Sequence, residues 1–186
     1  MNQKTLETER LILRRFREED LADFYEYASR LEVGPAAGWK PHDNPEESRA
    51  ILAGFIEGEE VWAIVWKEMG KVIGSVGLHA DGRRSASPEI KMLGYVLSPD
   101  YWGRGIMTEA ARRMVSCAFE EMGAELLTIQ HFSFNSRSKR VIEKCGFTYE
   151  GRLRRCFLRY GGEWLDECCY SMTRDEYFLE GAEKFC

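Results

Sequence analysis

The chain has 186 residues, 44% of them hydrophobic and 31% charged, the size and composition of one globular domain spanning 1–186. That excludes a disordered or fibrous polypeptide, and the longest apolar run, Val61–Trp66, falls far short of the ~20 residues of a membrane span. A net charge of −5 argues against a general nucleic-acid binder and suits cationic partners such as amines.

No apolar secretory core follows Met1-Asn2-Gln3-Lys4-Thr5, so no signal peptide is expected. The cysteines are Cys117, Cys145, Cys156, Cys168, Cys169 and Cys186. None forms a C-x-x-C pair and two are adjacent, which fits a reduced, cytoplasmic protein. Leu11-Ile12-Leu13 reads as a strand within Glu9–Arg17. Leu21, Phe24, Tyr25, Ala28 and Leu31 then recur at helical spacing. A loop carrying Gly34-Pro35 and Gly38-Trp39 leads to Asn44, a helix cap with Pro45 in the first helical position. Strands are predicted over Val61–Lys67, Val72–His79 and Glu89–Ser98, the first two as a hairpin. Met107, Ala110, Ala111, Met114, Val115, Ala118, Phe119 and Met122 make a helical stripe that stops at Gly123. Leu126–Phe132 reads as a strand and Ser136–Lys144 as a short helix capped by Asn135. Phe147–Arg159 and Glu163–Met172 form a second hairpin, and Arg174–Glu183 a terminal helix. The fold class is α/β (α+β): a mixed, mostly antiparallel sheet of about six to seven strands with helices on both faces.

The most informative stretch runs from Leu93 through Trp102-Gly103-Arg104-Gly105-Ile106-Met107-Thr108-Glu109-Ala110, a strand entering a Gly-x-Gly turn that opens the strongest helix. The first helical N–H groups have no intrahelical acceptor, and the helix dipole adds about half a positive charge there. Glycines let a phosphate approach such a backbone closely, and Arg104 and Thr108 could add donors. The same glycines would also suit a tight turn without a ligand. Neither the Walker spacing nor the Rossmann fingerprint is present.

Here the sequence resembles the GNAT superfamily of N-acetyltransferases. Trp102–Met107 lies where that family carries its R/Q-x-x-G-x-G/A pyrophosphate loop. Asn135-Ser136-Arg137-Ser138…Glu143-Lys144-Cys145-Gly146-Phe147 resembles its N-x-x-S/A…E-K-x-G-F segment. The flanks, Thr8-Glu9-Arg10-Leu11-Ile12-Leu13-Arg14 and Trp164–Met172, are similar to the branch of ribosomal-protein N-terminal acetyltransferases. The resemblance implies a splayed parallel strand pair and acetyl transfer from acetyl-CoA, a co-substrate, to an amine in a ternary complex. It implies that Gly103, Arg104, Gly105, Ile106, Met107 and Thr108 hold the pyrophosphate. Val96 and Leu97 would pair with the pantetheine arm as with an added strand, and Asn135 would contact the cofactor side.

This chemistry needs a neutral amine, donors for an oxyanion, and a proton for the leaving thiolate. Many members place a Tyr where this chain has Ile142. Ser138 is therefore the candidate acid, its other reading being a first-turn residue with only local hydrogen bonds. Related sequences often carry a Glu where this chain has Met92, so Glu89, Glu167 and Asp166 are the candidate bases, Glu89 being the one selected. His42 is a substrate-side candidate, and no histidine pair has metal spacing, so no metal is expected. The acceptor is a protein N-terminus, a polyamine or another small amine, with no nucleic-acid or membrane partner, and exposed edge strands make a homodimer compatible. A non-catalytic acyl-CoA sensor, a nucleotide-phosphate binder and a Cys–His acyltransferase are the rival readings.

Overall fold

The computed structural model describes residues 4–84 and 87–184; Met1–Gln3 and Cys186 of the sequence reading lie outside the described residues. The chain runs β1 (Leu6–Glu7), β2 (Leu11–Arg15), α1 (Leu21–Ala28), α2 (Gly34–Ala37), α3 (Pro45–Gly58), β3 (Val61–Trp66), β4 (Lys71–Ala80) and β5 (Ile90–Leu97). There follow α4 (Ile106–Ser116), β6 (Leu126–Phe132), α5 (Ser136–Lys144), β7 (Thr148–Leu158), β8 (Trp164–Thr173) and α6 (Arg174–Lys184). Among the described residues one sheet of eight strands has the order β1-β2-β3-β4-β5-β6-β8-β7. The strand beyond the expected six to seven is β1, two residues long, too short to show an alternating pattern. The chain at Gly34–Ala37, expected as loop, makes one helical turn. The long stripe ends differently too: α4 gives way at Cys117–Glu121 to a wider π-type turn before Gly123.

Alternation along the strands places the two layers. Leu11, Leu13, Trp62 and Ile64 face a core shared with Ile106, Met107, Ala110 and Met114 of α4 and Ile142 of α5. Val61, Ala63 and Val65 face the other way, against Phe24 and Tyr27 of α1 and Leu52 of α3. Period-two burial in strands and period-3.6 burial in helices thus put helices on both faces. Each fully buried Leu or Ile contributes about 1.5–3 kcal/mol by leaving water. Asn44 caps α3 by accepting from the Glu47 N–H at 2.9 Å, as the sequence predicted. Among the described residues, no helix is long and apolar enough to cross a membrane.

β1 to β5 are antiparallel neighbours, and α4 carries the chain over to β6, parallel to β5. That parallel pairing covers only Ile90–Met92 against Leu126–Thr128. Beyond Met92 the strands part, while β6 stays paired with β8 as far as Phe132.

The start of α4 is tied to the N-terminal hairpin. The Glu109 carboxylate accepts from the Thr8 hydroxyl at 2.6 Å, the Arg10 N–H at 2.9 Å and Arg10 Nε at 2.7 Å. Arg10 Nη1 also donates to the Arg104 carbonyl at 3.0 Å, inside the Gly-x-Gly turn. Burial alone would raise the Glu109 carboxyl, but the hydrogen bonds from Thr8 and Arg10 outweigh it and hold it below the ordinary carboxylate range. Glu109→Ala leaves the Arg10 guanidinium and the Thr8 hydroxyl without their acceptor. It should cost about 1–3 kcal/mol of stability in urea titration, with a retained circular-dichroism spectrum.

Candidate active site

Two cavities open where β5 and β6 part. The first, about 430 Å³, lies between the end of β5, the Gly-x-Gly turn with the start of α4, and α5. Its walls include Val96, Leu97, Gly103, Gly105, Ile106, Met107, Thr108, Asn135 and Ser138, so the structure brings together nine of the eleven residues singled out in the sequence. Gly103 and Gly105 both adopt left-handed backbone, φ +77° and +76°, which favours glycine. Among the described residues nothing stands where a Cβ would sit on Gly103, and only the Arg10 guanidinium approaches that position on Gly105, at 3.8 Å. Among the described residues no side chain caps α4, and its first main-chain bond runs from the Glu109 N–H to the Gly105 carbonyl. The N–H groups of Ile106, Met107 and Thr108 therefore have no intrahelical acceptor.

The parity of β5 decides which backbone groups face the gap. The Ser98 N–H donates to the Ile73 carbonyl at 2.8 Å, making that facing pair a hydrogen-bonded one. Alternation makes Val96 and Ser75 the next such pair, so the Val96 main chain is spent on β4. Tyr95 and Leu97, beyond the last pair with β6, turn theirs toward the gap. This corrects the expectation for Val96: it lines the cavity, while Tyr95 and Leu97 supply the free strand edge. The Leu97 carbonyl accepts from Trp102 Nε1 at 2.9 Å, so the residue standing in place of the family's Arg/Gln locks the turn to the strand.

Two other expectations change. The exposed Arg104 side chain lies over the Tyr101 ring at 5.5 Å, outside the cavity walls. Positive charge comes instead from Arg137, Arg140 and Lys144 of α5, with the Arg137 guanidinium 3.9 Å from the Trp102 ring centroid. Their i, i+3, i+7 spacing was a sequence signal that they share one face. Glu89 is exposed at the far end of β5, six residues before Tyr95, about 20 Å away at ~3.3 Å per residue. It lines neither cavity and cannot serve as the base there.

The second cavity, about 650 Å³, lies on the other side of the same junction. Ala36, Ala37, Tyr95, Val96, Asn135 and Ser138 belong to the walls of both. Both ends of the Asn135 amide are engaged: Oδ1 accepts from the Ser138 N–H at 3.1 Å and Nδ2 donates to the Ala36 carbonyl at 3.2 Å. Asn135 thus caps α5 and pins α2 over the junction. The Ser138 hydroxyl lies 3.0 Å from that of Tyr95.

The family comparison decides the reading. The acetyltransferase (GNAT) domain family matches residues 10–148. The chain belongs to this family. It is 29% identical to the uncharacterised N-acetyltransferase YoaA of Bacillus subtilis (strain 168), over 91% of this chain and 96% of that one. The crystal structure of a GNAT-family acetyltransferase from Bacillus anthracis superimposes with a TM-score of 0.84 at 25% identity, covering 93% of this chain and all of that one. Mycobacterium smegmatis RimJ, solved in complex with CoA-disulfide, has the same fold, with a TM-score of 0.79 at 18% identity over 96% and 95% of the two chains.

The protein is an acetyl-CoA-dependent N-acetyltransferase, and the residues present fit that co-substrate. An uncapped helix start, an open cradle at two glycines and three cations suit phosphates, and the β5 edge suits an amide-bearing arm. The second cavity faces the same junction. Glu167, buried at 4% exposure, lines it; its carboxylate pairs with Arg83 and accepts from the Cys156 thiol at 3.3 Å. Asp166 lies outside, held by the Arg152 side chain and the Arg155 N–H. His42 lines it with Nδ1 2.7 Å from the Ser48 hydroxyl, and burial lowers its pKa, so the ring is neutral at pH 7. His131 has Nδ1 2.8 Å from the Phe132 carbonyl and therefore carries its proton there, with Nε2 3.4 Å from the Tyr170 hydroxyl.

Cys168 faces His131 across the β6–β8 ladder but lines neither cavity, and both ring nitrogens of that histidine are engaged. Cys117 and Cys145 are buried, and burial pushes the Cys145 thiol up to about 11, which suppresses the thiolate. A Cys–His acyl-enzyme therefore finds no assembled pair among the described residues. Nor do these include a cluster of three or more His, Cys, Asp or Glu suited to a metal ion.

Two outcomes follow. Replacing Arg137 and Arg140 together by Ala should weaken acetyl-CoA binding about tenfold or more in calorimetry, since a charge-assisted hydrogen bond contributes about 1.5–3 kcal/mol. His42, with a pKa lowered on folding, contributes stability that is complete above its unfolded value of ~6.5 and lost as pH falls through the folded one. The stability difference between wild type and His42→Gln should therefore be largest near pH 7–8 and shrink toward pH 5; a constant difference would show that His42 is not buried neutral.

Proposed function

We propose that the 186 residues form one cytoplasmic acetyltransferase domain that transfers the acetyl group of acetyl-CoA directly to a primary amine, a small molecule or a protein N-terminus. The observation that supports this is the wall shared by the two cavities, which lets a thioester and an amine meet without a covalent enzyme intermediate. Leu97 and Tyr95 N–H groups, turned toward the gap, are the donors for the oxyanion. Glu167 and His42 are the proton acceptors on the amine side, and Ser138 is the donor for the leaving thiolate.

The acceptor cavity favours monoamines over polyamines. Phe24, Trp39, Phe55, Phe132 and Phe157 make most of its aromatic wall. Among the described residues its carboxylates are Glu47 and Glu167, and the second is already paired with Arg83. A polycation would lose water there without matching anions. An acceptor with one amine on an apolar or aromatic body loses far less.

Thiol release should proceed with phenethylamine or with peptides bearing a free N-terminus at a kcat/KM at least tenfold above that for spermidine. Ser138→Ala should lower kcat tenfold or more, because a general acid contributes about 10²–10⁴. Acetyl-CoA binding without thiol release from any of these amines would instead support the acyl-CoA sensor.

A further inference from the structure

The proton for the departing sulfur needs a supply behind Ser138. A serine hydroxyl is a weak acid, and α5 offers no tyrosine: Ile142, at the position where the family resemblance expected one, is fully buried in the sheet–α4 core. A tyrosine reaches the same spot from the opposite wall. Tyr95 leaves β5 on the face shared with Leu93 and Leu97, and its hydroxyl lies 3.0 Å from Ser138 Oγ and 3.3 Å from the Ser138 carbonyl. These two residues are the hydroxyl-bearing members of the six that border both cavities. Burial raises the Tyr95 phenol above its ordinary value, so it stays protonated throughout the neutral range. Ser138 is held in place by its N–H on Asn135 Oδ1, in the first turn of α5, where the helix dipole favours negative charge.

We propose that Tyr95 and Ser138 form a proton relay to the CoA sulfur, with Tyr95 acting through Ser138. As the new C–N bond forms and the C–S bond breaks, the electron pair of that bond stays on sulfur. Sulfur takes the Ser138 proton while Ser138 Oγ takes the Tyr95 proton. The acceptor nitrogen gives its proton to Glu167 or His42, which releases it to solvent, and a solvent proton restores Tyr95, so the enzyme ends as it began. Transfer from Tyr95 to Ser138 is concerted with transfer from Ser138 to sulfur, so Ser138 never stands as a free alkoxide, and the Tyr95 oxygen carries the charge only until its proton returns. This inference rests on the acetyl-transfer reading above.

The test reads the thiol of bound CoA rather than turnover alone. Thiolate absorbance is titrated against pH in the CoA complex, with the desulfo-CoA complex subtracted to remove the protein's own cysteines. Ser138→Ala should raise the bound thiol pKa on the order of one unit, the loss of one hydrogen bond to an anion. Tyr95→Phe, which keeps the ring, should raise it in the same direction, and the double variant should match Ser138→Ala because the two act in series. In turnover, Tyr95→Phe should lower kcat about tenfold or more with the KM for acetyl-CoA within about threefold. Tyr95→difluorotyrosine, nearly isosteric and more acidic, should move the thiol pKa downward, and it keeps the test alive if the Phe variant folds poorly. An unchanged thiol pKa in Tyr95→Phe, or effects that add in the double variant, would overturn the relay and leave acetyl transfer intact. A wild-type protein that binds no CoA would overturn both.

Discussion

A pair of parallel strands that stops pairing after three residues governs the rest of this molecule. Main-chain N–H and C=O groups in a sheet interior normally find partners in the next strand. Here Tyr95 and Leu97 turn such groups toward a β6 that has moved away to follow β8. The unpaired length of β5 is a vacant strand position inside a folded domain. It suits an extended, amide-bearing ligand, which would be held by the same bonds that build the sheet. Both cavities open from that gap, which is why they share a wall.

The remaining parts hold the rim of the gap in place. Trp102 ties the Gly-x-Gly turn to the end of β5, Arg10 and Glu109 tie it to β1 and β2, and Asn135 ties α2 to α5. Each tie uses a side chain to satisfy a main-chain carbonyl or an opposite charge at a point where the ladder is absent. The N–H groups left open at the start of α4 are those a phosphate would fill, so the positions of the ties and of the free donors are complementary.

Much of this was legible in the sequence because it depends on local rules. The α3 cap at Asn44, the α5 cap at Asn135 and the left-handed glycines of the turn all follow from spacing of a few residues. The layer assignment followed from period two and period 3.6. What escaped depends on register and on side-chain direction. Val96 and Leu97 look equivalent as neighbours in a strand, yet parity gives one to β4 and the other to the gap. Glu89 looked close to the site along the chain, but an extended strand carries it about 20 Å from Tyr95. Arg104 sits in the turn itself, but its side chain leaves over Tyr101 while α5 supplies the cations. The meeting of Tyr95 with Ser138 joins positions far apart in sequence, and no spacing rule encodes it.

Amide hydrogen exchange along β5, measured with and without acetyl-CoA, tests the central claim most directly. The Tyr95 and Leu97 amides should exchange readily in the free protein and become protected on binding. The Val96 amide, already bonded to β4, should be protected in both states. Protection that falls on Val96 instead, or no change at Tyr95 and Leu97 when acetyl-CoA is bound, would contradict the account of β5 as the open edge that receives the co-substrate.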